Sequence, residues 1–316
     1  MKLGRIILSA VLSLSCILGA AGCNNAPVSS VGNVETLNIV DGDKIAEISI
    51  EGYGTIKAKL FPDLAPKGVE NFIKLAEQGY YDGLKIHRVL ADTIIQGGSL
   101  YGDGTGGKAL IDESGSFDLE TSEKARHFYG ALSYANDLGK NATQFFIVNS
   151  KEPQDISTLD TEQIKAAALA NTDLKATATE GSSEYNTYAY KEKYYNSLAT
   201  MVSGATEEVA AKYKENGGLP LFDGGYTVFG QVYEGFDVME AISKAELQTS
   251  ATGEKSKPVQ DIVITSVKIV TFSTSTAETQ TEEKDDEKPE TAETGASTAD
   301  TTDTTTSHST ETAENQ

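Results

Sequence analysis

Cysteine, histidine and tryptophan are scarce in this 316-residue chain: it has two, three and none. Cys16 lies inside an N-terminal apolar run and Cys23 just beyond it. If that leader is removed and Cys23 is modified, no thiol remains to form a disulfide, and the fold must rest on a buried core. The histidines, His87, His127 and His308, show no metal-ligand spacing, so neither a metal nor another cofactor is expected. Positive charge is also short, with 26 Lys and Arg against 47 Asp and Glu and a net charge of -21. That balance argues against a nucleic-acid partner. No long hydrophobic run occurs either. Ile6 to Leu18 is too short for a comfortable membrane span.

What is present at the two ends is of a different kind. Lys2 and Arg5 precede the short apolar run, and Gly19-Ala20-Ala21-Gly22-Cys23 follows it. Small residues ending in a cysteine resemble the bacterial lipoprotein signal, which implies cleavage before Cys23 and lipid on that residue. Residues 1–22 are then a leader, and 23–43 a lipidated cysteine and polar stalk. The implied location is the extracytoplasmic face of the cell membrane. Ordinary secretory cleavage is the alternative. At the other end, residues 272–316 hold no aromatic or branched aliphatic residue after Phe272 and carry about a dozen acids against two lysines. Such a segment buries too little apolar surface to offset its ordering entropy, so a disordered acidic tail is expected. It reads as a solvated spacer, or as an arm that binds cations or spans a cell wall.

Between these ends, residues 44–271 read as one mainly β domain. Ile45 to Ile50 and Thr55 to Leu60 flank Glu51-Gly52-Tyr53-Gly54 as a hairpin, the second run alternating apolar Ile56, Ala58 and Leu60 with polar partners. Pro66 opens a helix to Gln78, with Val69, Phe72, Ile73 and Ala76 on one face. Short strands follow over 85–90, 93–97, 131–134, 145–148, 226–232 and 261–270, with a second helix over Gly235 to Lys244. Many short strands and two helices predict a closed antiparallel barrel capped by helices. Residues 151–218 break the strand rhythm for too long to be a bare loop. Helix-start signals at Asp160, Ser182 and Thr206 predict an inserted helical subdomain. Its tyrosines (Tyr185, Tyr188, Tyr190, Tyr194 and Tyr195) either bind peptides or pack the insertion onto its host.

The chemistry-bearing stretches are Ile86-His87-Arg88, Gln96-Gly97-Gly98 and Gln144-Phe145-Phe146-Ile147. They hold no evident nucleophile and no phosphate loop. Arginine stays protonated and serves as a donor, not a base. A directed cation beside an apolar pocket suits gripping and twisting a peptide rather than cutting it.

Taken in order, these and further motifs resemble the cyclophilin family of peptidyl-prolyl cis-trans isomerases. The motifs are Ala65-Pro66-Lys67-Gly68-Val69-Glu70-Asn71-Phe72, Tyr81-Asp82-Gly83, His87-Arg88, Gln96-Gly97-Gly98, Gly104-Thr105-Gly106-Gly107, Ser133-Tyr134-Ala135-Asn136, Thr143-Gln144-Phe145-Phe146-Ile147, Phe222-Asp223-Gly224 and Val228-Phe229-Gly230. The resemblance implies a cyclophilin-like β-barrel and proline-containing polypeptides as partners, such as secreted proteins that are still folding. It implies Arg88 as the catalytic residue and Phe146, Ile94 and Phe222 as pocket lining. Gln96, Asn136 and Gln144 would hold the peptide backbone or orient the arginine, with His87, Ala135 and Tyr226 lining the site. Three positions depart from the pattern. Thr93 stands for a usual pocket phenylalanine, Leu221 for a frequent tryptophan and Tyr226 for a frequent histidine. Losing one ring's contact costs on the order of 1–2 kcal/mol, so a slower enzyme is expected, by roughly tenfold. A non-catalytic proline-peptide-binding or chaperone module on the same groove is the alternative. Taken singly, without the ordered motifs, Phe146 and Ile94 read as ordinary core, His87 as a satisfied buried histidine and Arg88 as a surface salt-bridge partner; the motifs together favour the site for Arg88, Gln96 and Phe146.

Overall fold

Alternation along the first strands sets the architecture. In β1 (Lys44–Ile50) and β2 (Gly54–Leu60), Ile48, Ile50, Ile56, Ala58 and Leu60 are buried while the residues between them face outward. The two pair antiparallel through the expected hairpin. The computed structural model describes residues 37–274. The leader, Cys23, most of the stalk and the acidic tail beyond 274 lie outside the described residues.

Helix α1 (Pro66–Glu77) begins with proline at its first position and buries Val69, Phe72, Leu75 and Ala76. Ile73 is only partly buried. Strands β3 (Arg88–Leu90), β4 (Ile94–Gly97), β5 (Phe117–Asp118), β6 (Ala131–Asp137), β7 (Lys140–Val148), β8 (Val228–Glu234) and β11 (Ile264–Thr271) complete the main sheet. Between β8 and β11 come helix α5 (Phe236–Ser243) and a small separate hairpin, β9 (Leu247–Thr249) with β10 (Lys255–Pro258). The main sheet is antiparallel throughout, in the order β11-β1-β2-β8-β6-β7-β4-β3, with β5 added on β7.

The closed barrel expected from the strand count is corrected here: the sheet is a curled half-barrel with open edges at β3 and β11. β3 is three residues long, and β10 of the small hairpin packs beside it. Among the described residues the segments leading into these edges are linked by a bridge between Lys85 and Val263 and by the bonds of Gly83 N to Ile264 O, Ile264 N to Leu84 O and Ile86 N to Ile262 O. A continuous ladder needs longer facing strands than these.

The insertion contains the three helices that its caps predict. Asp160 accepts hydrogen bonds from the N–H groups of Glu162 and Gln163 at the start of α2 (Thr161–Thr177). Ser182 caps α3 (Ser183–Ser203) through Tyr185 N, and Thr206 caps α4 (Glu207–Asn216) through Val209 N. No helix among the described residues is long and apolar enough to cross a membrane.

The main core lies inside the curl. Phe72 is fully buried there, its ring centroid 5.1 Å from Tyr81, 5.9 Å from Phe145 and 5.0 Å from Phe229. Asn71 is also fully buried and fully engaged: its amide donates to Tyr134 Oη (3.1 Å) and the Ala142 carbonyl (2.7 Å) and accepts from Leu110 N (2.8 Å). Phe72→Ala should therefore lower unfolding stability by about 3–5 kcal/mol, read as a shift in denaturant midpoint at unchanged slope.

Candidate functional site

Successive strand residues face opposite sides, and in β3, β4, β6 and β7 that alternation sorts the core from the site. Val89, Ile95, Leu132, Tyr134, Phe145 and Ile147 point into the main core. Their neighbours Leu90, Ile94, Ala131, Ala135, Phe146 and Val148 form a second apolar cluster on the other face, joined by Phe61, Phe222 and Tyr226. Register then places the polar residues beside that cluster. Arg88 is paired with Gln96 across β3 and β4, and Gln96 with Phe146 across β4 and β7. Paired residues in an antiparallel sheet share a face, so the arginine, the glutamine and the aromatic ring stand in a row.

The polar half of the site is a directed chain. Arg88 Nη1 donates to Gln96 Oε1 (3.1 Å), Gln96 Nε2 donates to Gln144 Oε1 (3.2 Å), and Gln144 Nε2 donates to the Gly104 carbonyl (2.9 Å). Each amide is oriented by the next, since a flipped amide would set donor against donor. On its other edge Arg88 is clasped by Glu254, with Nε to Oε2 at 2.7 Å and Nη2 to Oε1 at 3.0 Å. The guanidinium beside it holds the Glu254 carboxyl below its ordinary range, against the opposing effect of burial. Gly98 allows the sheet to turn beneath this chain. Its φ is +82°, and a Cβ there would lie 2.6 Å from the Thr143 carbonyl.

The apolar half is a small aromatic box. The Phe146 ring meets Phe222 (5.8 Å) and Tyr226 (5.5 Å) edge-on, and those two rings are 4.9 Å apart. Phe146 and Ile94 are buried, at 2% and 3% exposed, and form the floor. The partly exposed Phe222, Tyr226 and Ala135 form the rim. Burial pushes the Tyr226 hydroxyl pKa up while the nearby Arg88 charge pulls it down, so the cation acts within reach of the rim.

Behind the box lies a buried charged network. Asp223, 2% exposed, accepts from Tyr213 Oη (2.7 Å), Arg126 Nη1 (3.2 Å) and the His127 backbone N–H (3.0 Å), and contacts His127 Nδ1 (3.0 Å). The His127 ring stacks on Phe146 at 6.1 Å. Tyr213 lies on α4, and Arg126 also donates to the Met201 carbonyl on α3 (2.9 Å), so the insertion is tied to the wall of the box. Tyr194 donates to the Leu221 carbonyl and Tyr190 to that of Gly225 (3.3 Å). Of the two readings of the tyrosine cluster, these contacts match packing onto the host.

The expected residues do not all behave alike. Arg88, Gln96 and Gln144 are linked by hydrogen bonds, and Ile94, Ala135, Phe146, Phe222 and Tyr226 by apolar contact. Asn136 lies just past a bulge in β6 and its side chain is committed: it donates to the Gly225 carbonyl (2.8 Å) and accepts from Gly139 N (2.9 Å). His87, next along the chain from Arg88, lines a separate cavity of about 170 Å³ with Lys85, Tyr101, Asp103 and Asp261. It is not the satisfied histidine of the bland reading. Both ring nitrogens are buried, and among the described residues no group meets either in good hydrogen-bond geometry, the Lys85 backbone lying near enough only to favour the charged ring. Thr93 sits on the turn between β3 and β4, its hydroxyl on the Ala91 carbonyl, and contributes no aromatic wall. Glu254 was not anticipated. It lies near the end of Thr249-Ser250-Ala251-Thr252-Gly253, a run with turn composition and no sign of a distant arginine partner.

A model of the family described as cyclophilin type peptidyl-prolyl cis-trans isomerase matches residues 45–172 and 203–269, more than half of the chain. The stretch it passes over is narrower than 151–218, because it follows the chain into α2 and resumes at the end of α3. A Staphylococcus haemolyticus protein, provisionally named a peptidyl-prolyl cis-trans isomerase, is 36% identical over 217 residues, covering 68% of this chain and 86% of the relative. A similarly named Staphylococcus saprophyticus protein is 34% identical over 232 residues, covering 73% and 94%. Among solved structures, a Cryptosporidium parvum cyclophilin type peptidyl-prolyl cis-trans isomerase aligns with a TM-score of 0.48 at 21% identity, over 73% of this chain and 99% of that one.

Burial lowers the His87 pKa from 6.5 to about 4, with Arg88 contributing in the same direction and the Lys85 backbone opposing. As pH falls from 6.5 toward 4, the unfolded chain binds a proton that the native chain refuses, so stability declines across that window. An NMR titration should show the His87 ring neutral at pH 5.5; a midpoint near 6.5 would contradict its burial.

Proposed function

Since the chain belongs to the cyclophilin-type peptidyl-prolyl cis-trans isomerases, we propose that it catalyses this isomerisation at the row of Arg88, Gln96 and Phe146, acting on proline-containing segments of secreted or surface proteins as they fold. The observation that carries the site assignment is the register of β3, β4 and β7, which stands a fixed guanidinium beside an aromatic box.

The X–Pro bond resists rotation by about 18–20 kcal/mol because the nitrogen lone pair is delocalised into the carbonyl. Twisting localises that pair on nitrogen and makes it a hydrogen-bond acceptor. Arg88 donates to the twisted nitrogen and hardly at all to the planar one, so its bond favours the transition state over either ground state. The Gln96–Gln144 chain keeps the donor aimed, and the proline ring rests on the Phe222 and Tyr226 rim above Phe146. Because the uncatalysed step takes roughly 10–100 s, assistance matters to a polypeptide folding outside the cell's interior.

Arg88→Ala should lower kcat/KM for a proline tetrapeptide by about 100-fold or more while leaving the fold intact. Arg88→Lys should not restore it, because an ammonium lacks the planar fork. Saturable peptide binding by the unaltered protein without any cis-trans exchange would favour the non-catalytic module instead.

We also propose that Cys23 carries lipid and holds the protein on the extracytoplasmic face of the membrane. The support is the charged, apolar and small-residue order of the leader. Radiolabelled palmitate should enter the wild-type chain, and Cys23→Ala should abolish labelling and release the protein to the soluble fraction. Equal membrane retention of the variant would refute the anchor.

A further inference from the structure

Arg88 has five N–H donors, and the described contacts use three: one on Gln96 and two on Glu254. Glu254 does not neighbour Arg88 in sequence or in the main sheet. It arrives on the β9–β10 hairpin, whose turn is closed by Ser250 N to the Glu254 carbonyl (2.8 Å) and Gly253 N to the Ser250 carbonyl (3.0 Å). β10 in turn packs against β3. The carboxylate is thus delivered by a backbone-braced turn to the strand that carries the arginine. Both side chains are about three-quarters covered, at 25% and 27% exposed, so this pair is less screened than the protein's surface ion pairs.

The bond pattern matters more than the charge. Glu254 takes the Nε and Nη2 edge with both oxygens, the two-point geometry that fixes the guanidinium plane as well as its position. Gln96 holds Nη1 from the opposite side. An arginine side chain free to rotate would lose entropy each time it aimed at a twisted bond. One clasped from two sides has lost it already. Two N–H groups remain for the substrate.

Resting on the reading of the site given above, we propose that Glu254 is a positioning residue for catalysis: it holds the Arg88 fork in the plane from which the remaining N–H groups meet the prolyl nitrogen. A carboxylate that instead competed with substrate for the fork would be inhibitory, and the two roles predict opposite effects of its removal.

The test is a double-mutant cycle on the full chain with a proline tetrapeptide, comparing wild type, Glu254→Ala, Glu254→Gln, Arg88→Ala and the Arg88→Ala/Glu254→Ala double variant. Glu254→Ala should lower kcat by about tenfold with KM changed by less than about twofold. Glu254→Gln, keeping one acceptor oxygen, should fall between wild type and Glu254→Ala. In the Arg88→Ala background, removal of Glu254 should cost nothing more. The Arg88 Nε–H signal in nitrogen-15 NMR, sharp in wild type, should broaden or vanish in Glu254→Ala. Wild-type or higher activity in Glu254→Ala, or an equal loss in both backgrounds, overturns the proposal. An inactive wild type defeats the underlying assignment of the site. An active wild type disabled by Arg88→Ala but indifferent to Glu254→Ala defeats only the role of Glu254.

Discussion

The register of β3, β4 and β7 is the constraint on which the site depends. It sets Arg88 against Gln96 and Gln96 against Phe146, while Val89, Ile95 and Phe145 face the interior. A slip of one residue in any of the three strands would turn the arginine or the glutamine into the core and the apolar partners outward, an exchange that burial forbids. The hydrophobic core therefore does more than stabilise the fold. By claiming every second residue, it specifies which side chains meet on the other face.

The electrostatics follow from that arrangement. Three amide and guanidinium groups in sequence would be loose on an open surface. Here both amides have a donor and an acceptor committed and Arg88 donates on two sides, in a chain from Glu254 through Arg88, Gln96 and Gln144 to the Gly104 carbonyl. The bland reading of Arg88 as a salt-bridge partner and the functional reading of it as a donor to substrate describe one arrangement, because the ion pair occupies one edge of the fork and leaves part of it unused. In the same way Phe146 is both core and site: its buried ring packs under Phe222 and Tyr226 and forms the floor of the box.

The helical insertion is joined to its host by an apolar cluster around Phe128, Ile156 and Tyr213 and to the wall of the site by polar groups. Asp223 gathers Tyr213 from α4 and Arg126, whose guanidinium also reaches α3. Tyr190 and Tyr194 hold the backbone of the loop that carries Phe222 and Tyr226. Buried and hydrogen-bonded on all sides, such a network costs more to break than it adds when intact. The insertion is thereby a brace for the wall of the aromatic box.

Local chemistry alone was enough for the helices and most strands. Pro66, Asp160, Ser182 and Thr206 announce helix starts because capping acts within one turn of the chain, and the alternation in β1 and β2 follows from a two-residue repeat. The ordered motifs likewise made Arg88, Gln96 and Phe146 legible as a set. Other features were decided only in three dimensions. The strand count suggested closure, but whether β3 and β11 meet depends on their lengths and on what packs between them. β5, β9 and β10 are too short to show a period. That Asn136 is committed to Gly225 and that His87 faces its own cavity depend on neighbours far along the chain. So does the clasp of Glu254 on Arg88, 166 residues apart, which no local pattern encodes because the two are brought together only when the small hairpin docks on β3.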